Sequence, residues 1–171
     1  YRKPFIALIL SYMNKYINIF LYSMLPITEL RLTVPLGVLK YDLNWAAVIF
    51  ISILGNFLIC IPILTLLKSF DKFCSNYQIL NKILERIYLR TRKKTKIINN
   101  YRYIGLLFFV GIPLPFTGAW TGCFASHLLG LSKTKTLISI FIGLITSSII
   151  IIIIIFFAQH LLSWIGYATN I

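Results

Sequence analysis

The sequence predicts an all-α integral membrane protein with two membrane-crossing helices, two oppositely oriented re-entrant helical hairpins and amphipathic interfacial helices. Three observations carry that prediction. Of the 171 residues, 58% are hydrophobic and only 12% are charged, a balance typical of membrane chains. Trp45 to Leu67 and Ile138 to Ala158 carry no charge over 23 and 21 residues, and about 20 apolar helical residues cross a hydrocarbon core. Ten of the seventeen Lys and Arg fall between Lys68 and Arg102, directly after the first of these stretches, as the positive-inside rule requires of a cytoplasmic loop.

In chain order, residues 1–20 form an N-terminal helix. Asn14, Lys15 and Asn18 interrupt its apolar character, which leaves a spanning and an interfacial course both open. No small-residue cleavage site follows a short apolar core near Tyr1, so a cleaved signal peptide is not expected. Residues 22–39 hold Pro26, Glu29, Arg31 and Pro35, a poor continuous span that reads as a hairpin entering from the outer face. The transmembrane helix 45–67 then runs inward, with Lys40 and Asp42 left outside.

Residues 68–102 form a cytoplasmic, basic, amphipathic segment. Phe73, Tyr77, Leu80, Leu84 and Ile87 recur at helical spacing, and Arg90, Arg92, Lys93, Lys94 and Lys96 extend the segment as a polybasic tract suited to anionic lipids. Residues 104–131 are an uncharged run of 28 with Pro113, Pro115 and five glycines. As one straight helix it would measure about 42 Å, too long for the core, and the prolines break it near its middle. Arg102 precedes the run and Lys133 and Lys135 follow it, so both ends lie on the cytoplasmic face and the run is a second hairpin. The helix 136–162 goes outward, with Trp164 and Tyr167 beyond its end at the interface. Hairpin then helix, twice and in opposite senses, makes residues 1–171 one membrane domain with an inverted repeat.

The formal net charge of +13 would suggest nucleic acid in a soluble protein. Here it is concentrated beside a span and accompanied by no base-reading or stacking module, so no nucleic-acid partner is expected. Cys60, Cys74 and Cys123 are scattered and only His127 and His160 join them, which gives neither a disulfide framework nor a metal site. The chain has no nucleophile elbow, Walker loop or dinucleotide fingerprint, so neither a cofactor nor enzymatic chemistry is expected.

The candidate site lies at the two proline-broken segments. An ionisable side chain inside a span costs at least about 2.5–3.5 kcal/mol, so Glu29 and Arg31 need partners or a wet cavity. Side chains two apart on a regular helix point about 200° apart, so the two meet directly only if the backbone bends. Burial and a nearby guanidinium pull a carboxyl's proton affinity in opposite directions, which suits a group that binds and releases a proton. In the second segment, Thr117 is placed to cap a new half-helix, so that backbone N–H groups of Gly118 to Trp120 form an anion-favouring end. Glu29 itself is one anion that could sit there. Gly118, Gly122, Ser126 and Gly130 recur every four residues as a small-residue packing stripe. His127 reads as structural before it reads as a proton relay, and Asn56 and Pro62 mark a kink or an interhelical hydrogen bond.

The stretches "LPITELRLTVPLGV" (25–38) and "GLLFFVGIPLPFTGAWTGCFASHLLGL" (105–131) resemble the small multidrug export protein family, which is similar to the DedA and VTT-domain superfamily of membrane proteins. Glu29, Arg31, Pro35, Pro113, Pro115, Thr117, Gly118, Trp120 and Gly122 fit the pattern and are the substrate- or ion-binding candidates. Two positions depart from it: Arg31-Leu32-Thr33 stands where an Arg-Gly-Ala-type step is typical, and Phe116 where glycine is usual. The resemblance implies a multi-pass protein of a prokaryotic inner membrane, two re-entrant hairpins and ion-coupled transport. Proton-coupled export of a small solute is the expectation, with phospholipid scrambling and a non-transporting membrane assembly role as alternatives, and a homodimer for either transport reading.

Overall fold

The computed structural model describes residues 2–74 and 99–168, and these are helical throughout apart from the turns. Among the described residues six helices follow one another: α1 (Arg2–Ser23), α2 (Glu29–Pro35), α3 (Trp45–Cys74), α4 (Asn99–Gly111), α5 (Ala119–Leu128) and α6 (Lys133–Ala168). A π-helical turn, Leu36–Lys40, prolongs α2. The amphipathic face expected beyond Phe73 and the polybasic tract Arg90 to Lys96 lie outside the described residues.

Helices α3 and α6, of 30 and 36 residues, grow from the two charge-free runs. Each contains a stretch long and apolar enough to cross a membrane, Trp45–Asp71 and Lys133–Trp164. Asn44 starts α3: its Oδ1 accepts the Ala46 and Ala47 N–H groups at 3.0 and 3.2 Å, taking up donors with no partner inside the helix. The interior holds apolar and small polar side chains together, and many large apolar side chains lie on the outside. Phe50, Leu66, Ile153 and Phe157 face outward, while Ser52, Asn56, Ser126, Ser147 and Ser148 are buried. That is the distribution a hydrocarbon solvent selects.

The shorter helices double back in pairs. The helix expected over residues 1–20 and the first limb of the expected 22–39 hairpin are one continuous helix, α1, which ends at Ser23. The chain turns at residues 24–28 and returns through α2 and the π turn, so that Lys15 of α1 lies over the Tyr41 ring at the far end of the returning limb. Helices α4 and α5 pair likewise. Tyr103 Oη is 3.2 Å from Ser132 Oγ, and Arg102 Nη1 donates to the Leu129 carbonyl at 3.3 Å, so the start of α4 meets the end of α5. Leu131 N–H to Ser126 O and Gly130 N–H to His127 O, both 2.9 Å, close α5. They require the left-handed backbone that Gly130 adopts (φ 67°).

Both tips stop near the middle of a long helix. Ser23 packs on Gly55 of α3, and Gly111 on Thr146 of α6. Ile19, Leu30, Val34, Leu64, Leu106, Val110, Ile140 and Leu144, drawn from every one of these helices but α5, belong to one buried apolar core.

Candidate functional site

The first tip is set by Pro26 and by Thr28, whose hydroxyl donates to the Tyr22 carbonyl and closes the turn. Helix α2 then begins on an unusual backbone: Glu29 has φ 35°, in the left-handed region that costs a side-chain-bearing residue roughly 1–3 kcal/mol. This departure from regular helix is the bend that a direct Glu29–Arg31 contact needs. Arg31 Nη2 lies 3.5 Å from Glu29 Oε2. Glu29 is only 4% exposed.

The second tip supplies the remaining partners. Trp120 N–H donates to Glu29 Oε1 at 3.3 Å, Trp120 Nε1–H donates to the Met24 carbonyl at 3.0 Å, and Arg31 Nη1 donates to the Leu114 carbonyl. Three hydrogen bonds thus run from tip to tip. The carboxylate meets the start of α5, where unpaired N–H groups and the helix dipole both favour a negative charge. Gly118 makes the approach possible, since a β-carbon there would overlap the Glu29 carboxylate.

Thr117 does not cap α5. Its Oγ1 accepts the Leu114 N–H at 3.1 Å and lies 2.7 Å from Ile112 O and 2.8 Å from Leu114 O, so the turn itself consumes the hydroxyl. Gly118 is the N-cap instead, and Thr121 Oγ1, reaching back, accepts the Gly118 N–H at 2.9 Å. Phe116, at the crown of this turn, has φ 67° and is 86% exposed.

Between the tips lies a cavity of about 410 Å³ lined by Pro26, Ile27, Glu29, Arg31, Leu32, Pro113, Pro115, Phe116 and Thr121. Of the residues singled out in the sequence, Glu29, Arg31, Pro113, Pro115, Gly118 and Trp120 therefore come together, with Thr117 building the turn beneath them. Pro35 lines a separate apolar recess with Tyr22, Thr33 and Leu36. Gly122 packs one turn further on, against Val110 and Ile140.

Reading the sequence missed the Trp120 indole as a second link between the tips, and Thr121. It also missed the buried Thr33–Ser52 contact (3.1 Å), whose signal was available: Ser52, Asn56 and Cys60 recur every four residues on one face of an otherwise apolar helix. His127 Nε2 sits 3.0 Å from Asp71 Oδ2 and ties the end of α5 to α3. Among the described residues no group of three or more His, Cys, Asp or Glu could hold a metal ion.

The family model described as "Putative small multi-drug export protein" matches residues 29–151, a stretch that begins at the buried acid of the first tip and contains the whole second hairpin. The chain belongs to that family. Comparison with curated proteins finds no match, and neither does comparison with solved structures.

Proposed function

We propose that this member of the small multi-drug export family moves a small solute by ion-coupled alternating access, with the cavity between the tips as the binding place and Glu29 as the proton carrier. The observation that carries this reading is a buried carboxylate, halfway along two span-length helices, that lines a cavity of about 410 Å³ and takes its N–H partner from the opposite hairpin. Protonating Glu29 would cancel the charge that attracts Arg31 and the Trp120 N–H. The links between the tips would weaken and the tips could part, so proton binding and cavity opening become one event. Broken helices that meet near the midplane of a bilayer are a recurring way to build such a site.

In this reading the α1–α2 and α4–α5 pairs re-enter the membrane from opposite faces as an inverted repeat. Residues 68–102 face the cytoplasm of a prokaryotic cell, their basic tract rests on anionic lipid, and two chains form the working unit. The decisive experiment is substrate flux driven by a pH gradient in proteoliposomes. Glu29→Gln is expected to insert normally and lose gradient-driven flux, and unchanged flux would end Glu29's role.

One observation favours a second reading, phospholipid scrambling. Trp120, which holds the first tip, also walls an apolar groove of about 600 Å³ with Ile59, Pro62, Leu66, Phe70 and Phe124, so an acyl chain and a headgroup could lie on either side of it. Movement of a headgroup-labelled phospholipid between leaflets, lost in Glu29→Gln, would replace solute export with this reading.

A further inference from the structure

Behind the clasp formed by the three tip-to-tip hydrogen bonds lies a row of polar side chains with an unfinished hydrogen-bond pattern. Ser52 and Asn56 of α3 are fully buried, and Thr33 of α2, 1% exposed, faces them. The contacts of the row can be followed one by one. The Thr33 hydroxyl donates to the Glu29 carbonyl at 2.7 Å. The same hydroxyl lies 3.1 Å from Ser52 Oγ, which accepts from it. Asn56 Nδ2 donates to the Ser52 carbonyl at 3.0 Å, and because a carbonyl only accepts, this fixes which way the amide faces. The Cys60 thiol lies 3.1 Å from the Asn56 main-chain carbonyl and donates there.

None of these contacts reaches the Asn56 side-chain oxygen. Asn56 Oδ1 is buried with no hydrogen-bond partner, and Ser52, one turn earlier, lies on the same face of α3. Buried polar groups are satisfied in nearly every native structure, so a bare carbonyl oxygen in an apolar interior points to something electropositive that completes it.

We propose that Asn56 Oδ1 and Ser52 Oγ are ligands of a small monovalent cation of the Na+ class, bound one layer behind Glu29. Neutral amide and hydroxyl oxygens suit a hard ion of single charge, whereas a divalent ion demands carboxylates. The role as a second coupling ion rests on the transport reading above, but the binding itself does not. An internal water would also satisfy Oδ1, and unlike a cation site it would show no preference among salts.

The test is thermal unfolding of the purified full chain in detergent, in NaCl and in choline chloride at equal ionic strength. Wild type is expected to show a saturable rise in midpoint with Na+ on the order of 5 °C, since a ligand held only by the folded state stabilises it. Asn56→Leu is expected to lose the rise, and Ser52→Ala, which removes one ligand and leaves the fold's apolar contacts, to need several-fold more Na+ for the same shift. Equal midpoints in the two salts for wild type, or a full Na+ response in Ser52→Ala and Asn56→Leu, would overturn the proposal. Glu29→Gln separates the two readings, because its Na+ shift reports on this site and its flux on the clasp.

Discussion

The two tips that meet at the centre of the molecule bring different chemistry to the same place. Around Glu29 and Arg31 the first tip contributes side-chain charge, while the second contributes mainly backbone: the Trp120 N–H, the Leu114 carbonyl and the space left by Gly118. Neither would be stable alone. An ion pair withdrawn from water loses more hydration than its own attraction returns unless other polar groups complete it. A broken helix has such groups to offer and adds no charge in doing so. The first tip therefore depends on which side chains it carries, and the second on the path its main chain takes.

Substitutions should expose that asymmetry, and the largest effect is expected in the charged tip. Glu29→Ala leaves the Arg31 guanidinium without its carboxylate and should cost about 3 kcal/mol; Arg31 is one-fifth exposed, which places the loss at the low end for a broken buried pair. Thermal unfolding in detergent reads it, and an unchanged midpoint would mean that the pair does not hold the tip.

Gly118→Val removes no hydrogen-bonding group and takes away only room, at about 2 kcal/mol. In a Glu29→Ala background most of that cost should vanish, because the atoms it collides with are gone. Strict additivity of the two would sever the proposed link between the tips. Trp120→Phe keeps an aromatic side chain and the main-chain bond to Glu29 and loses the indole donor to the Met24 carbonyl with part of the ring system, a loss of about 1 kcal/mol or somewhat more by the same assay.

The smallest effect should carry the opposite sign. Phe116→Gly relieves a left-handed backbone and gives up a phenyl ring that buries almost nothing. A net gain of about 0.5 kcal/mol is expected, reduced by the extra freedom glycine has in the unfolded chain. A loss of stability would show that the ring is engaged in a contact.

What could be read from the sequence divides along the same line as the tips. The two long helices follow from runs free of charge, and the breaks at residues 24–28 and 112–118 follow from prolines, because each signal is carried by residue type. The demand of Glu29 for a partner was legible too, and so was the start of the second half-helix as a place where that partner could be. Thr117 was assigned to the cap because Thr caps helices, and residue type could not say that Ile112 and Leu114 would engage its hydroxyl first. The Glu29–Arg31 contact hinges on one φ angle, which no pattern of residues announces. The π turn after Pro35 is equally silent, being a shift of hydrogen-bond register with no residue signature. In the Thr33–Ser52–Asn56 row, Asn56 stood out as a polar residue in a span, but the neighbour on α2 belongs to tertiary structure.

The three bonds of the clasp join residues 83, 91 and 96 positions apart. At a ribosomal pace of roughly 5–20 residues per second, Glu29 is made about 5–20 s before the Trp120 N–H that receives it exists. Through that interval the first hairpin has its acid and no second hairpin to seat it. A chain stopped short of Trp120 leaves the Glu29 carboxylate with Arg31 alone, and a completed one adds the Trp120 N–H. The same contact that organises the finished site marks the moment at which the protein is finished.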